Sequence, residues 1–226
     1  MSVGRGRLIV LEGPEGAGKS TQLRLLHEWL RARRVPSVSV REPGGTELGD
    51  EIRQLLLDPT RTISPRAEAL LFLASRAELM KEVITPALER GEIVLVDRFV
   101  LSTYAYQIAG RELPESEIRA ANVLATSGMV PHVTLLLCVP SAHRAARAAR
   151  RGAPDRMEQA GQAFHERVER AFAMFLSPDW QIDHPECGPI VPVDGGGPEA
   201  QVFERLLTAL ATRWPETFSA LNESHP

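Results

Sequence analysis

The chain has 226 residues, of which 43% are hydrophobic and 24% charged, the balance of a folded protein and long enough for one α/β core. Its formal net charge of −3 speaks against a general nucleic-acid coat, which is basic overall. Two cysteines, Cys138 and Cys187, make no disulfide framework. The apolar run Leu8 to Leu11 is too short for a secretion signal, and no stretch reaches the ~20 apolar residues of a membrane span; a cytoplasmic location without membrane partners is expected.

Short β-like runs alternate with longer helical ones, the pattern of a parallel sheet with helical crossovers. Leu8 to Glu12 reads as a first buried strand, and Lys19 to Arg33 as a helix with Leu23, Leu26 and Leu30 on one face. Ser37 to Arg41 is a second strand, and Glu47 to Leu57 a second helix. Arg66 to Glu89 is helical in pattern, with Pro86 a point where it bends or ends. Ile93 to Asp97 is a buried strand ending in a carboxylate, followed by helical stretches Leu101 to Ala109 and Glu115 to Ser127. Val133 to Val139 is the fourth strand. Ser141 to Arg151 and Gln162 to Phe175 read as helices around a polar loop, Ile190 to Val193 as a last short strand, and Glu199 to Trp214 as a closing helix. A single domain over residues 1–214 is expected, with a frayed polar tail over 215–226.

The strongest signal is Gly13-Pro14-Glu15-Gly16-Ala17-Gly18-Lys19-Ser20, which fits G-x-x-x-x-G-K-[ST] between a strand and a helix. Glycines let successive N–H groups turn toward phosphate oxygens, and the helix N-terminus adds its positive end. Lys19 brings charge to the β/γ phosphates and Ser20 a Mg²⁺ ligand; Thr21 belongs to the same nucleotide-binding stretch. The bland alternative is a glycine-rich turn that binds nothing. The loop does not by itself separate kinases from other nucleotide hydrolases, although there is no Asn-Lys-x-Asp and no Asp-x-x-Gly after a second strand.

Asp97-Arg98 is the second constellation. Ligands of an open parallel sheet bind at the carboxyl ends of its strands, where Asp97 suits Mg²⁺ and Arg98 suits a forked contact to a phosphate. Read alone, the pair is equally a helix cap and a solvated arginine. Phe72 and Arg76 lie one helical turn apart on one face, and Phe72 by itself reads as core. Arg144, Arg147 and Arg151 share another face, either solvated or a patch for nucleic acid.

Four ordered blocks carry a resemblance. Arg41-Glu42-Pro43-Gly44-Gly45-Thr46, Glu68 to Arg76 (Glu-Ala-Leu-Leu-Phe-Leu-Ala-Ser-Arg), Asp97 to Gln107 (Asp-Arg-Phe-Val-Leu-Ser-Thr-Tyr-Ala-Tyr-Gln) and Asp155-Arg156-Met157-Glu158 with Phe164-His165 resemble the signature segments of the thymidylate kinase family. The resemblance runs from about residue 8 to 195. It implies a P-loop nucleoside monophosphate kinase fold: a five-stranded parallel sheet in the order 2-3-1-4-5 flanked by helices. It also implies transfer of the γ-phosphoryl of ATP to dTMP with Mg²⁺, and a homodimer packed through helices, with no stable nucleic-acid partner.

By the same resemblance Arg41 and Arg98 hold the acceptor phosphate, and Phe72 and Arg76 meet the thymine. Ser102, Thr103 and Gln107 line the base and phosphate site, Tyr106 sits under the sugar and disfavours a ribose 2′-hydroxyl, and Glu15 faces the acceptor sugar. Asp194 lies near the adenine of ATP. The phosphate loop itself carries no arginine, so cations from a lid at about 144–158 are implied: Arg151 and Arg156, then Arg147. Three departures stand out: Phe99 where the family has Tyr or His, Cys138 where it has Asp, and Ala149 where related lids are often basic. Two rivals remain open, a kinase of this architecture with another acceptor and a nucleic-acid-stimulated ATPase or nucleotide-binding regulator that uses the Arg144 to Arg156 face. An acceptor panel separates the first, and salt-sensitive nucleic-acid binding the second.

Overall fold

The structure is a computed structural model that describes residues 6–140 and 155–219. Five strands, β1 (Arg7–Glu12), β2 (Ser37–Arg41), β3 (Ile93–Asp97), β4 (Val133–Cys138) and β5 (Ile190–Asp194), form one sheet in the order β2-β3-β1-β4-β5. All four pairings are parallel. The expected architecture is therefore the observed one.

Because strand side chains alternate between faces, the apolar runs feed two cores. Leu8, Val10, Val94, Val96 and Leu136 pack on one face with Ile84, Phe99 and Phe172. Ile9, Leu11, Leu95, Leu135 and Leu137 pack on the other. There they meet Leu23, Leu26 and Leu30 of α1 (Lys19–Ala32). With both faces covered, the strands read as continuous hydrophobic runs.

In α2 (Glu47–Leu57), the Thr46 side chain caps the first turn by accepting from the Gly49 N–H at 3.0 Å. The long pattern through Glu89 is not one uniform helix. It consists of α3 (Pro65–Leu79), a π-helical stretch (Met80–Ile84) and α4 (Thr85–Glu89). Pro86 does not end the run, which stays helical through Glu89; the π-helical stretch lies immediately before α4, with the Thr85 N–H bonded to the Met80 carbonyl. A second π-helical stretch, Tyr104–Gly110, follows α5 (Val100–Thr103), so the expected helix after Asp97 is real but wider from Tyr104 onward. Next come α6 (Glu115–Thr126), α7 (Gln162–Met174) and α9 (Glu199–Arg213). Between α7 and β5 lie α8 (Pro178–Asp183) and a 3₁₀ turn (Pro185–Cys187), which the sequence pattern does not announce.

The fold also continues past Trp214. Residues Pro215–Phe218 form α10, and Phe218 is 0% exposed, its ring stacked on Trp29 at 5.8 Å between centroids. A single aromatic residue thus anchors Pro215–Phe218, the first part of the tail expected to fray. Cys138 and Cys187 are both free thiols.

Candidate functional site

The phosphate loop leaves the carboxyl end of β1 and enters α1. Gly13, Gly16 and Gly18 have φ of 139°, 74° and 97°, backbone that favours glycine. At Gly13 a Cβ would lie 2.8 Å from the Leu137 carbonyl oxygen, so a side chain there would collide with β4. Lys19 folds back over the loop and donates to the Gly13 and Pro14 carbonyls at 2.9 and 3.1 Å. Burial pushes its ammonium down to about 7, and the nearby Arg98 charge adds to the effect. The carboxylates of Asp97, Glu12 and Glu15 oppose that shift, as the oxygens of a bound polyphosphate would.

Asp97 ends β3 beside this loop. Its Oδ2 accepts the Ser20 hydroxyl at 2.6 Å, while its buried Oδ1 has no partner. Arg98 follows with φ 72°. Its guanidinium donates to the Gly13 carbonyl at 3.3 Å and to Ser102 Oγ at 3.2 Å, lies over the Tyr106 ring at 5.0 Å, and stands 4.0 Å from Glu15. This turn is held by a residue that the sequence reading passed over. Glu12, fully buried at the end of β1, accepts from the Phe99 and Ser102 N–H groups at 2.8 and 2.9 Å and from the Ser102 hydroxyl at 2.6 Å. Burial still holds its carboxyl above the ordinary range. Glu15, in the loop, is also pushed up by burial, with Arg98 opposing.

One pocket runs from the phosphate loop across the carboxyl ends of β1, β3 and β2 to α3. Glu15, Gly16, Gly18, Lys19, Ser20, Asp97 and Arg98 line one end. Phe72, Arg76, Thr103 and Gln107 line the other, with Ser102 and Tyr106 between. Register pairs Arg41 with Asp97, which places Arg41 at the rim.

Phe72 is half-buried and lines the pocket as well as packing against the core. Arg76 is 3% exposed. Its Nε and Nη2 donate to Glu42 Oε2 at 2.8 and 2.5 Å, and its Nη1 to Thr103 Oγ1 at 2.8 Å and to Asn122 Oδ1. Phe99 lies wholly buried with the Arg76 guanidinium 5.0 Å from its ring centroid, so the departure to Phe keeps an aromatic surface under that cation. Cys138, half-buried at the end of β4, has its thiol pushed up by burial.

Other residues the sequence reading missed include Arg53, which lines the pocket and donates to the Pro43 carbonyl at 2.9 Å. Burial and the charge of Arg41 lower its pKa. Arg53 sits on the buried side of α2, and the run Glu51-Ile52-Arg53 offers only helical spacing as a clue. Asp155 and Glu158 also line the pocket.

Several expected residues lie elsewhere. Gly13, Pro14, Ala17 and Thr21 are not among the lining residues, although the carbonyls of Gly13 and Pro14 orient Lys19. Asp194 accepts from the Gly196 N–H at 2.9 Å and pairs with Arg205 at 3.4 Å. The loop it starts touches the phosphate loop, since a Cβ on Gly195 would be 3.5 Å from the Ala17 carbonyl oxygen. Arg156, expected among the cations at the phosphates, is committed to structure: Nε donates to the Leu56 carbonyl at 2.7 Å and Nη1 to Glu68 Oε2 at 2.8 Å. Drawing Arg156 away would leave the fully buried Glu68 carboxylate with one charged partner fewer, which is costly. Arg147 and Arg151 lie outside the described residues.

A glycine-rich loop that cradles phosphate, a metal-suited carboxylate one strand away, and an arginine-rimmed acceptor pocket on a 2-3-1-4-5 parallel sheet define a P-loop phosphotransferase of the nucleoside monophosphate kinase class. Comparison narrows this. The thymidylate kinase family model matches residues 11–182. A thymidylate kinase of Deinococcus radiodurans is 44% identical over 209 residues, covering 92% of this chain and 98% of that protein. One of Alkalilimnicola ehrlichii is 45% identical over 215 residues, covering 93% and 96%. The crystal structure of thymidylate kinase from Ehrlichia chaffeensis superposes with a TM-score of 0.70 at 27% identity, over 91% of this chain and 98% of that one. The chain belongs to the thymidylate kinase family, whose reaction is phosphoryl transfer from ATP to dTMP, giving ADP and dTDP.

Proposed function

We propose that this pocket carries out the family reaction with a division of labour that follows its two ends. The observation that carries the reading is the continuity of one cavity from Lys19, Ser20 and Asp97 to Phe72, Arg76 and Gln107, with Arg98 at the junction. The triphosphate of ATP lies against the loop of residues 13–20, Thr21 included, facing Lys19, and its adenine lies toward the loop at Asp194. The monophosphate of dTMP lies under Arg98, with Arg41 and Arg53 at the rim. Its base lies against Phe72 and Arg76, beside Thr103 and Gln107, and its sugar between Tyr106 and Glu15.

An acceptor phosphate oxygen attacks the γ-phosphorus in line, and the bond from that phosphorus to the β,γ-bridging oxygen breaks, leaving ADP. The attacking oxygen is already anionic, so no base removes a proton, and the chain's task is positioning and charge stabilisation. The lid arginines Arg147 and Arg151 remain the proposed cations for the transferring group, and the geometry argues against Arg156 in that role.

Mg²⁺ fits the residues present. The Ser20 hydroxyl and the unpartnered Asp97 Oδ1 are hard oxygen donors, and Mg²⁺ usually takes one or two protein ligands and completes its shell with phosphate oxygens and water. No group of three or more His, Cys, Asp or Glu able to hold a metal occurs among the described residues, in keeping with a metal that arrives with the nucleotide. When bound, it would neutralise developing charge on the phosphates.

The proposal extends to a homodimer in the cytoplasm. Leu70 of α3 and Leu124 of α6 are 63% and 83% exposed, an apolar cost that a second copy would relieve. No described helix is long and apolar enough to cross a membrane.

The test measures ADP formation with ATP and Mg²⁺ against dTMP, dUMP, dCMP, thymidine or no acceptor, with the product identified. Formation of dTDP that requires the monophosphate supports the reading. ADP release without any acceptor would overturn it.

A further inference from the structure

Glu68 lies 0% exposed on the inner face of α3 and takes no part in the division of labour above. Its carboxylate is saturated. Oε1 accepts from Arg111 Nε at 3.0 Å and Gln107 Nε2 at 3.3 Å. Oε2 accepts from Arg111 Nη2 at 2.9 Å and Arg156 Nη1 at 2.8 Å. Four donors fill the roughly four acceptor sites that a carboxylate offers.

The consequence falls on Gln107, a pocket-lining side chain only 2% exposed. A glutamine amide has two faces, and either its NH₂ or its C=O can point at a neighbour. A carboxylate held by two guanidiniums is an anion and accepts only, so the face of Gln107 turned to Glu68 is its NH₂. Flipping the amide would set a carbonyl oxygen against a carboxylate oxygen. With its NH₂ committed to Glu68, Gln107 has its carbonyl oxygen to offer as an acceptor in the pocket that it lines. Close by, Arg76 is a donor only. Four of its five N–H groups are engaged by Glu42, Thr103 and Asn122, and one on Nη2 remains.

We propose that Glu68 is a specificity-positioning residue: by fixing the orientation of the Gln107 amide, it makes this end of the pocket select pyrimidines that carry a ring N3–H beside a 4-carbonyl and reject those with a bare N3 beside a 4-amino group. A donor from Arg76 next to an acceptor from Gln107 complements the imide edge of thymine or uracil. Cytosine presents the reverse order, and in this pocket it would leave two buried polar groups facing their own kind. The inference rests on the acceptor reading above and adds to it the residue that sets the polarity.

The experiment compares kcat/KM for dTMP and dCMP in the wild-type protein, in Glu68→Gln and in Arg111→Gln. Glutamine at 68 can present either face, so the Gln107 amide is free to turn. The dTMP/dCMP ratio is expected to fall by roughly tenfold or more. Arg111→Gln removes a support of Glu68 but keeps the anion, so it should lower both activities together and leave the ratio within about twofold of wild type. Loss of mere structural integrity would move both substrates alike in both variants. If Glu68→Gln does not fold, Glu68→Asp keeps the charge and draws it back by one methylene, and the ratio should fall by a smaller factor. An unchanged ratio in the position-68 variant, or an equal fall in Arg111→Gln, overturns the inference. If the wild-type protein makes no dTDP, the acceptor reading itself fails and takes this inference with it; the wild-type arm alone reveals that outcome.

Discussion

Replacing Arg76 with methionine is the perturbation whose cost the structure specifies most fully. The guanidinium and Glu42 are both almost completely inaccessible, joined by contacts of 2.8 and 2.5 Å, and Glu42 Oε1 already lacks a partner. Arg76→Met keeps most of the volume but leaves a buried carboxylate uncompensated, a loss of about 3–5 kcal/mol out of a total stability of about 5–15 kcal/mol. Equilibrium urea unfolding at pH 7.5 measures it. Adding Glu42→Gln in the same background removes the orphaned charge and should recover about half or more of the loss, so the double-mutant cycle shows strong coupling.

The deficit should also depend on pH. Burial already raises the Glu42 carboxyl above its ordinary range, with Arg76 opposing, and removing Arg76 raises it further. A carboxyl whose folded pKa is raised is costly above that pKa, where the unfolded chain is ionised at no penalty, and the cost disappears as pH falls and the folded form takes up the proton. The gap between wild type and Arg76→Met should therefore narrow from pH 8 toward pH 5. A loss below about 1 kcal/mol, or a gap that does not change with pH, would refute the reasoning.

Arg98→Ala should lower turnover by about 10³-fold or more while ATP affinity, read by calorimetry without acceptor, changes little; near-normal activity would remove Arg98 from the acceptor phosphate. Chelation of divalent ions should stop turnover and added Mg²⁺ restore it. Asp97→Asn should raise the Mg²⁺ concentration needed for half-maximal rate, and an unaltered requirement would count against Asp97 as a ligand. Phe218→Ala should cost about 3–5 kcal/mol in chemical denaturation without altering the KM for either substrate. A neutral result would mean that the last turn is ornamental.

Features that depend on neighbours in the chain were legible before the fold was known. The expected strands of four to seven residues formed within a residue of their expected ends, and the glycine spacing of 13–18 placed the phosphate loop. Family resemblance added Phe72, Arg76, Tyr106 and Gln107 to the site. The rest depended on distance through space. Glu42 acquires its meaning from Arg76, 34 positions away, and Glu12 from Ser102, 90 positions away. Glu12 closes a run that reads as a buried strand, but neither carboxylate has a partner that its own stretch of sequence reveals. Arg156 is a further case: a basic residue at the end of a basic stretch reads as free charge, and its ion pair with Glu68, 88 positions distant, shows only in the fold. Phe218 was hidden by composition, one ring among polar neighbours.

Arg98 combines two demands that pull apart. Its backbone adopts φ 72°, a left-handed conformation that costs a side-chain-bearing residue about 1–2 kcal/mol and suits glycine, yet the proposed acceptor-phosphate site calls for a long cation at that point. A search for more heat-tolerant variants that scores folding alone would be drawn to Arg98→Gly, and on the acceptor-phosphate role proposed for Arg98 the molecules it collected would be sturdy and inert. Position 98 is thus one that a stability screen should exclude at the outset, because the strain in its backbone accompanies the presence of an arginine beside the phosphate loop.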